Sequence, residues 1–384
     1  MDEDILIERQ EVLKEIANQI NLEDPRINRG KKHSLAEIFF VVLCAQISNF
    51  NTFREYELYG QRKLNFLRKF LPYVNGTPSR STIGRFLMMF SPKKSESLLA
   101  DWAKKITKPA ANEQHVLAGD GKTQRGFKGE GNMHYMNLYD TNSGVCLGQE
   151  KVNDKSNEIT AFPILLDALE IKGHIISTDA MNCQKQTTKT ATDKGADYFL
   201  ALKQNHGTLF DEIRTYFEDL NLQSKCAYFK STDKGHGRIE IRECYTTNDI
   251  DWITGKSAWT NFNTITMIKS TRIIKEKETS ETRFFISSLT PNAQKHLAVS
   301  RAHWGIENSL NWVLDVIFQE DSRIIWNKNV AQNESIIRRM ALNLVKKYQA
   351  IHPFNKKSEK VALKTIRKMS FIDDEEMLAI LAGI

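Results

Sequence analysis

Apolar residues at the start of the chain recur at helical spacing. Ile5, Val12, Ile16 and Ile20 share one face and predict a helix over 5–20. A second helix is expected over 34–47, entered through Ser34 as N-cap with Glu37 three residues later. Helical patterning continues around 51–70. After the loop Asn75-Gly76-Thr77-Pro78, the segment TPSRSTIGRFLMMF predicts a short capped helix carrying Arg80 and Arg85. It suits the second helix of a helix-turn-helix, although an ordinary capped helix explains the local sequence more simply. A last helix near 95–106 ends before Lys108-Pro109, the expected domain boundary.

From residue 115 the pattern changes to strands. HVLAGD is one, and HYMNLYD and VCLGQEKV flank the hairpin turn Thr141-Asn142-Ser143-Gly144. A helix over 159–169, the strand HIISTD, a polar helix near 183–194 and the strand DYFLALK follow. Three antiparallel strands and then alternating helices and parallel strands describe an α/β fold, a ribonuclease-H-like mixed sheet preceded by an all-α region. Residues 225–289 alternate around two charged turns. They read as a β-rich insertion or as further strands of one large sheet.

The last long pattern is AVSRAHWGIENSLNWVLDVIF. Thr290 is placed to cap it, with Pro291 at the first helical position. Ala302, Ile306, Leu310, Val313 and Ile317 form the expected buried stripe. His303, Glu307, Asn311 and Asp315 recur every four residues on an adjacent face, most simply a solvated surface. A zinc site at His303 and Glu307 fails for want of a further His or Cys at ligand spacing.

Composition is that of a globular protein, with 41% hydrophobic and 26% charged residues in 384. The five cysteines form no CxxC pair and read as reduced thiols. No signal-peptide core is evident, and the apolar stretch around Ile38–Ile47 is too short to span a bilayer. Charge is more informative. Residues 1–25 hold two basic and eight acidic side chains, whereas 26–108 hold sixteen basic and five acidic, a balance of +11. Such a segment attracts polyanions through counterion release, though charge alone also describes a solvated basic surface.

Three carboxylates stand out. Asp120 ends the run HVLAGD before Gly121-Lys122, Asp179 ends HIISTD, and Glu307 lies on the late helix. In open α/β sheets, function gathers at strand ends. Carboxylates so placed suit two Mg²⁺ ions about 3.5–4 Å apart, the arrangement of phosphodiester chemistry. Lys122 and Arg125 follow Asp120 closely enough to contact phosphates, or simply to solvate a loop. Lys234, His236 and Arg238 surround a Gly-rich hairpin turn with the same two readings.

These motifs resemble the DDE transposases of the H-repeat-associated insertion-sequence family (ISAs type). The resemblance runs through DPRINRGKKHSLAEIFFVVLCA, Asp120-Gly121-Lys122 with Arg125-Gly126, and Asp179-Ala180-Met181 with Gln184. It continues in His236-Gly237-Arg238-Ile239-Glu240, in Arg301, His303, Trp304, Ile306, Glu307 and Asn308, and in Glu320-Asp321, Arg323 and Arg338-Arg339. It implies a helical DNA-binding domain over 1–108 and a catalytic domain over 109–384. It further implies Mg²⁺, or Mn²⁺ as substitute, held by Asp120, Asp179 and Glu307. Double-stranded DNA would be contacted through Arg80, Arg85, Lys122, Arg125, His236, Arg238, Arg301 and His303. The implied protein is bacterial and cytoplasmic, lies on the nucleoid when bound, and is a homodimer on paired element ends. Two features depart from the family pattern. Lys203-Gln204-Asn205-His206 replaces the usual Lys-Gly-Asn-Gln, and Ser300, His303 and Leu314 stand where the wider superfamily places Tyr, Arg and Lys. A nuclease on the same core, or a DNA-binding descendant without activity, remains an alternative.

Overall fold

The computed structural model describes residues 31–107, 113–153, 158–235, 237–275, 277–352 and 360–381. The helix expected over 5–20 and His236 lie outside them. The first described helix, α1 (Leu35–Ile47), starts as its sequence indicates. Ser34 and Glu37 form a reciprocal capping box, and all of its residues are buried. Helices α2 (Phe53–Arg62) and α3 (Arg80–Met89) pack on it, and α4 (Pro92–Ile106) follows and packs on the strand Val145–Lys151. Ser79 caps α3, and Pro92 occupies the first turn of α4.

The remainder is built on one mixed sheet of nine strands, ordered β3-β2-β1-β4-β5-β9-β8-β7-β6. β1 (Val116–Thr123), β2 (His134–Asp140) and β3 (Val145–Lys151) are antiparallel neighbours. β4 (Ile175–Thr178) and β5 (Asp197–Leu202) run parallel to β1. Helices α5 (Glu158–Ala168) and α6 (Lys185–Asp193) make the parallel crossovers, and α7 (Gly207–Glu218) follows β5. The expected β-rich segment supplies β6 (Ala227–Gly235), β7 (Arg238–Thr247), β8 (Thr264–Ile274) and β9 (Lys277–Ser287). These strands continue the same sheet, because β9 pairs with β5 through Leu200 and Ile286.

Helix α8 (Ala293–Ile306) crosses one face of the sheet. Leu297 and Val299 pack there on Ile175, Phe199 and Phe285. Its cap differs from expectation. Asn292, not Thr290, accepts from the Lys295 amide, while the Thr290 carbonyl hydrogen-bonds to the ring of His296. The long helix α9 (Lys328–Ile351) ties the sheet to the helical region. Asn333 bonds the carbonyls of Leu87 and Phe90, and Asn343 exchanges two hydrogen bonds with the backbone of Cys146 on β3. Helices α10 (Leu363–Ile372) and α11 (Asp374–Leu381) close the same bundle. There Arg367 reaches the carbonyls of Gln46 and Ile47. One hydrophobic core therefore runs from α1 through the sheet to α11. All five cysteines are free thiols, and no helix among the described residues is long and apolar enough to cross a membrane.

Candidate functional site: a carboxylate cleft at the strand ends

The pairing of β1 with β4 sets the site. Gly119 is level with Thr178, so Asp120 on β1 and Asp179, the residue that follows β4, come side by side. In-register neighbours on parallel strands point to the same face. Glu307 arrives from across that face at the end of α8. All three acids line one cleft of about 680 Å³, together with His303, Trp304, Lys203, Asn205 and Arg283.

Glu307 opens a π-helical turn, Glu307–Asn311, in which the Trp312 amide reaches back to the Glu307 carbonyl. Such single turns insert one residue and recur at functional sites. Here the insertion swings Asn311 onto Asp120, whose Oδ2 accepts from Asn311 Nδ2 at 2.8 Å. Asp179 is fixed differently. Its Oδ1 accepts from the backbone amide of Asn182 at 3.3 Å and from its side chain at 3.0 Å. The same Asn182 amide donates to Glu158, which also accepts from His134 at 2.6 Å. Glu158 is thus a fourth carboxylate at the site. Gly121 admits it, since a Cβ there would lie 2.3 Å from Glu158 Oε1 and 2.7 Å from His134 Nε2.

Negative charge is crowded here. Burial, then Asp179, Glu158 and Glu307, push the Asp120 carboxyl up to about 6 against the pull of the Gly121 amide. Three buried oxygens nearby have no hydrogen-bond partner: Thr178 Oγ1, Asn182 Oδ1 and Asn311 Oδ1. Among the described residues, no three Asp, Glu, His or Cys side chains converge into a ready-made ion cage.

The other expected site residues fall in different places. Strand β1 does not end at Asp120 but continues to Thr123, which buries Lys122. The Lys122 ammonium pairs with Asp315 at 2.5 Å and Glu320 at 3.7 Å, so it faces inward and not toward phosphate. Glu320 in turn meets Arg339 at 3.0 Å and Arg338 at 3.5 Å. Burial alone would raise its carboxyl, but Arg339, Arg338 and Lys122 outweigh it and hold Glu320 at about 2. The stripe expected to be solvated therefore meets protein partners, Asn311 on Asp120 and the half-exposed Asp315 on Lys122.

His303 is also turned in, with Nδ1 buried and unpartnered and its pKa lowered chiefly by burial. Arg125 is pinned by its backbone to Asp321 at 2.9 Å, with its side chain exposed. Arg80 and Arg85 are exposed on α3, away from the cleft lining. Arg238 pairs with Glu240 at 2.9 Å, and Arg301 ties α8 to Asp233 of β6 at 3.1 Å.

Comparison with known proteins identifies the family. Residues 105–344 match the family described as the transposase DDE domain, and 20–103 match the DDE_Tnp_1-associated domain. The chain belongs to the DDE transposase family. Among curated relatives, it is 36% identical over 349 residues to the "Putative transposase YncI" of Escherichia coli O157:H7, covering 88% of this chain and 89% of that one. It is 32% identical over 385 residues to the "H repeat-associated putative transposase YhhI" of Escherichia coli K12, covering 97% and 98% respectively. A solved structure, the piggyBac transposase synaptic complex with hairpin DNA, overlaps 97% of this chain and 78% of that one with a TM-score of 0.47 and 13% identity.

Proposed function

We propose that this chain cleaves DNA at the ends of an insertion element and joins the freed strand to target DNA, with Asp120, Asp179 and Glu307 as its metal-holding carboxylates. The observation that carries the reading is their convergence on one cleft, where burial first and the acidic neighbours second push the Asp120 carboxyl toward protonation. We read β1–β5 and α8 as a ribonuclease-H-like core. Residues 31–107 would be a helical DNA-binding region and β6–β9 an insertion that meets the element ends.

The donor chemistry fits Mg²⁺. The set is all oxygen, and Mg²⁺ takes one or two carboxylates per ion and keeps several waters, so no three-ligand cage is required. Asp120, Asp179 and Glu307 would together hold the ions. Bound there, the ions would supply an activated nucleophile and stabilise the leaving 3′ oxygen. The chain's own residues do the positioning. Asn311 fixes the rotamer of Asp120, and the Asn182–Glu158–His134 chain fixes that of Asp179. Lys122 neutralises Asp315 and Glu320 beneath the site without competing for phosphate.

Exposed Arg80, Arg85 and Arg125 are the proposed contacts to double-stranded DNA, with Arg238 and Arg301 at the insertion. Two active sites held in fixed relation are needed to join two ends, so the active species is proposed to be a homodimer on paired ends in the bacterial cytoplasm. Asp120→Asn, Asp179→Asn and Glu307→Gln should each abolish cleavage of a labelled end fragment in Mg²⁺ while retaining DNA binding. A Glu307→Gln protein that cuts at near-normal rate would overturn the assignment. The same acids also suit a nuclease, which would cut but fail to transfer a pre-cleaved end into plasmid DNA.

A further inference from the structure

The helix bearing Glu307 changes register at the π turn, and that register puts both Glu307 and Asn311 at the cleft. A π turn is a rare local form, and this one is supported from outside its own helix. The support comes from α9. The Lys346 ammonium donates to the Ser309 carbonyl, in the middle of the turn, and to the Tyr139 hydroxyl at 2.7 Å. Two groups therefore hold the ammonium, the Ser309 carbonyl and the Tyr139 side chain. Tyr139 stands where the β2–β3 register shifts, beside the hairpin turn. Gly144 takes the positive φ of that turn, +75°, which favours glycine.

This lysine is costly to keep. Burial pulls its ammonium down to about 7. A methionine of similar volume would avoid that cost, because replacing buried charge by apolar bulk is often neutral or stabilising. The Ser309 contact is what a methionine could not reproduce.

We propose that Lys346 is a positioning residue that holds the π turn open and so aims Glu307 and Asn311 at Asp120. The proposal rests on the reading of Glu307 as a site carboxylate. It also places the aim of the third acid under the control of α9, the helix that packs into the N-terminal bundle.

The test uses the full-length chain with Lys346→Met, Lys346→Arg and Glu307→Gln. Three quantities are read: thermal melting, hydrogen exchange of the amides over 307–314, and cleavage of an end fragment across a Mg²⁺ titration. Lys346→Met should melt at or above the wild-type temperature, yet exchange faster over 307–314. Its cleavage should fall roughly 10–100-fold, the usual loss for a residue that orients a metal ligand, with a higher Mg²⁺ requirement. Lys346→Arg should restore part of both. Unchanged exchange overturns the proposal, as does faster exchange with wild-type cleavage. A Lys346→Met protein that melts well below wild type assigns the residue to general stability and also overturns it. Wild-type cleavage by Glu307→Gln would instead remove the underlying reading of the acid, while exchange in Lys346→Met would still decide whether the lysine holds the turn.

Discussion

Asn311 donates to Asp120 at 2.8 Å, joining the middle of the sheet to a turn that lies 191 residues later in the chain. Replacing it with alanine frees the Asp120 carboxylate to rotate and leaves one acceptor unpaired. Asn311→Ala should lower cleavage by roughly 10–100-fold while DNA affinity stays within two-fold of wild type, as expected when only the orientation of a ligand is lost. Parallel cleavage and filter-binding assays check this.

Asp120 makes the fold less stable when ionised. Its carboxyl is pushed up to about 6 in the folded chain, above its ordinary value of 3.8, so the folded state holds the proton more tightly. The penalty grows as pH rises between those values and is complete above the folded pKa. Without divalent metal, Asp120→Asn should therefore be more stable than wild type at pH 7.5 by on the order of 1–3 kcal/mol. The gain should vanish below about pH 4. Adding Mg²⁺ should raise the wild-type melting temperature and leave that of the variant unchanged.

Lys122 separates structure from DNA contact. Its ammonium is committed to Asp315 and Glu320, so Lys122→Ala should cost about 1–3 kcal/mol, below the usual loss for a broken buried pair because Glu320 keeps two arginines. DNA affinity at a temperature where the variant is folded should be unchanged, and so should its salt dependence. A salt slope reduced by about one would make Lys122 a phosphate contact.

Glu320 works in the opposite sense to Asp120. It is held at about 2 in the fold, below the ordinary 4.5, so the stability it contributes is present above the unfolded value. That stability is lost as pH falls toward 2. Urea melts should show wild-type stability falling over this window, with a smaller fall in Glu320→Gln. At neutral pH the variant should be the weaker protein by about 3–5 kcal/mol, because it leaves Arg338 and Arg339 buried without their acid.

The helical region should bind DNA with steep salt dependence if its basic surface meets phosphate. Arg80→Ala or Arg85→Ala should weaken binding to the element end more than to random DNA if α3 reads bases, and equally if it contacts only backbone. Competition binding on both sequences decides. Removing residues 31–107 is not a clean test, since it would strip α1, α3 and α4 from α9 and expose its buried side chains.

What the sequence made legible was mostly local. The Ser34–Glu37 cap, the Asn142–Gly144 hairpin and the order of strands and helices around Asp120 and Asp179 each follow from short-range signals. What it concealed depended on distant partners. Lys122 after Asp-Gly looked like a loop cation, but β2 extends the strand past it and it pairs with Asp315 and with Glu320, which α9 holds through Arg338 and Arg339. Asn311 and Asp315 looked solvated because helical period alone cannot reveal a π turn, which exists here with support from Lys346 and Tyr139. Glu158 offered no motif at all. The one clue to it was Gly121, and reading that glycine required knowing what stands over it.

The pairing of Asn343 with Cys146 has a consequence for how copies of this chain can meet. An amide side chain there occupies the donor and acceptor that a neighbouring strand would use on β3. The far side of the sheet is left differently. β6 is the outermost strand, mostly exposed, and bears Lys230 and Lys234. The β3 margin is blocked at Cys146, while the β6 margin is open to a neighbouring strand. Joining of two copies at β6 would build a closed pair.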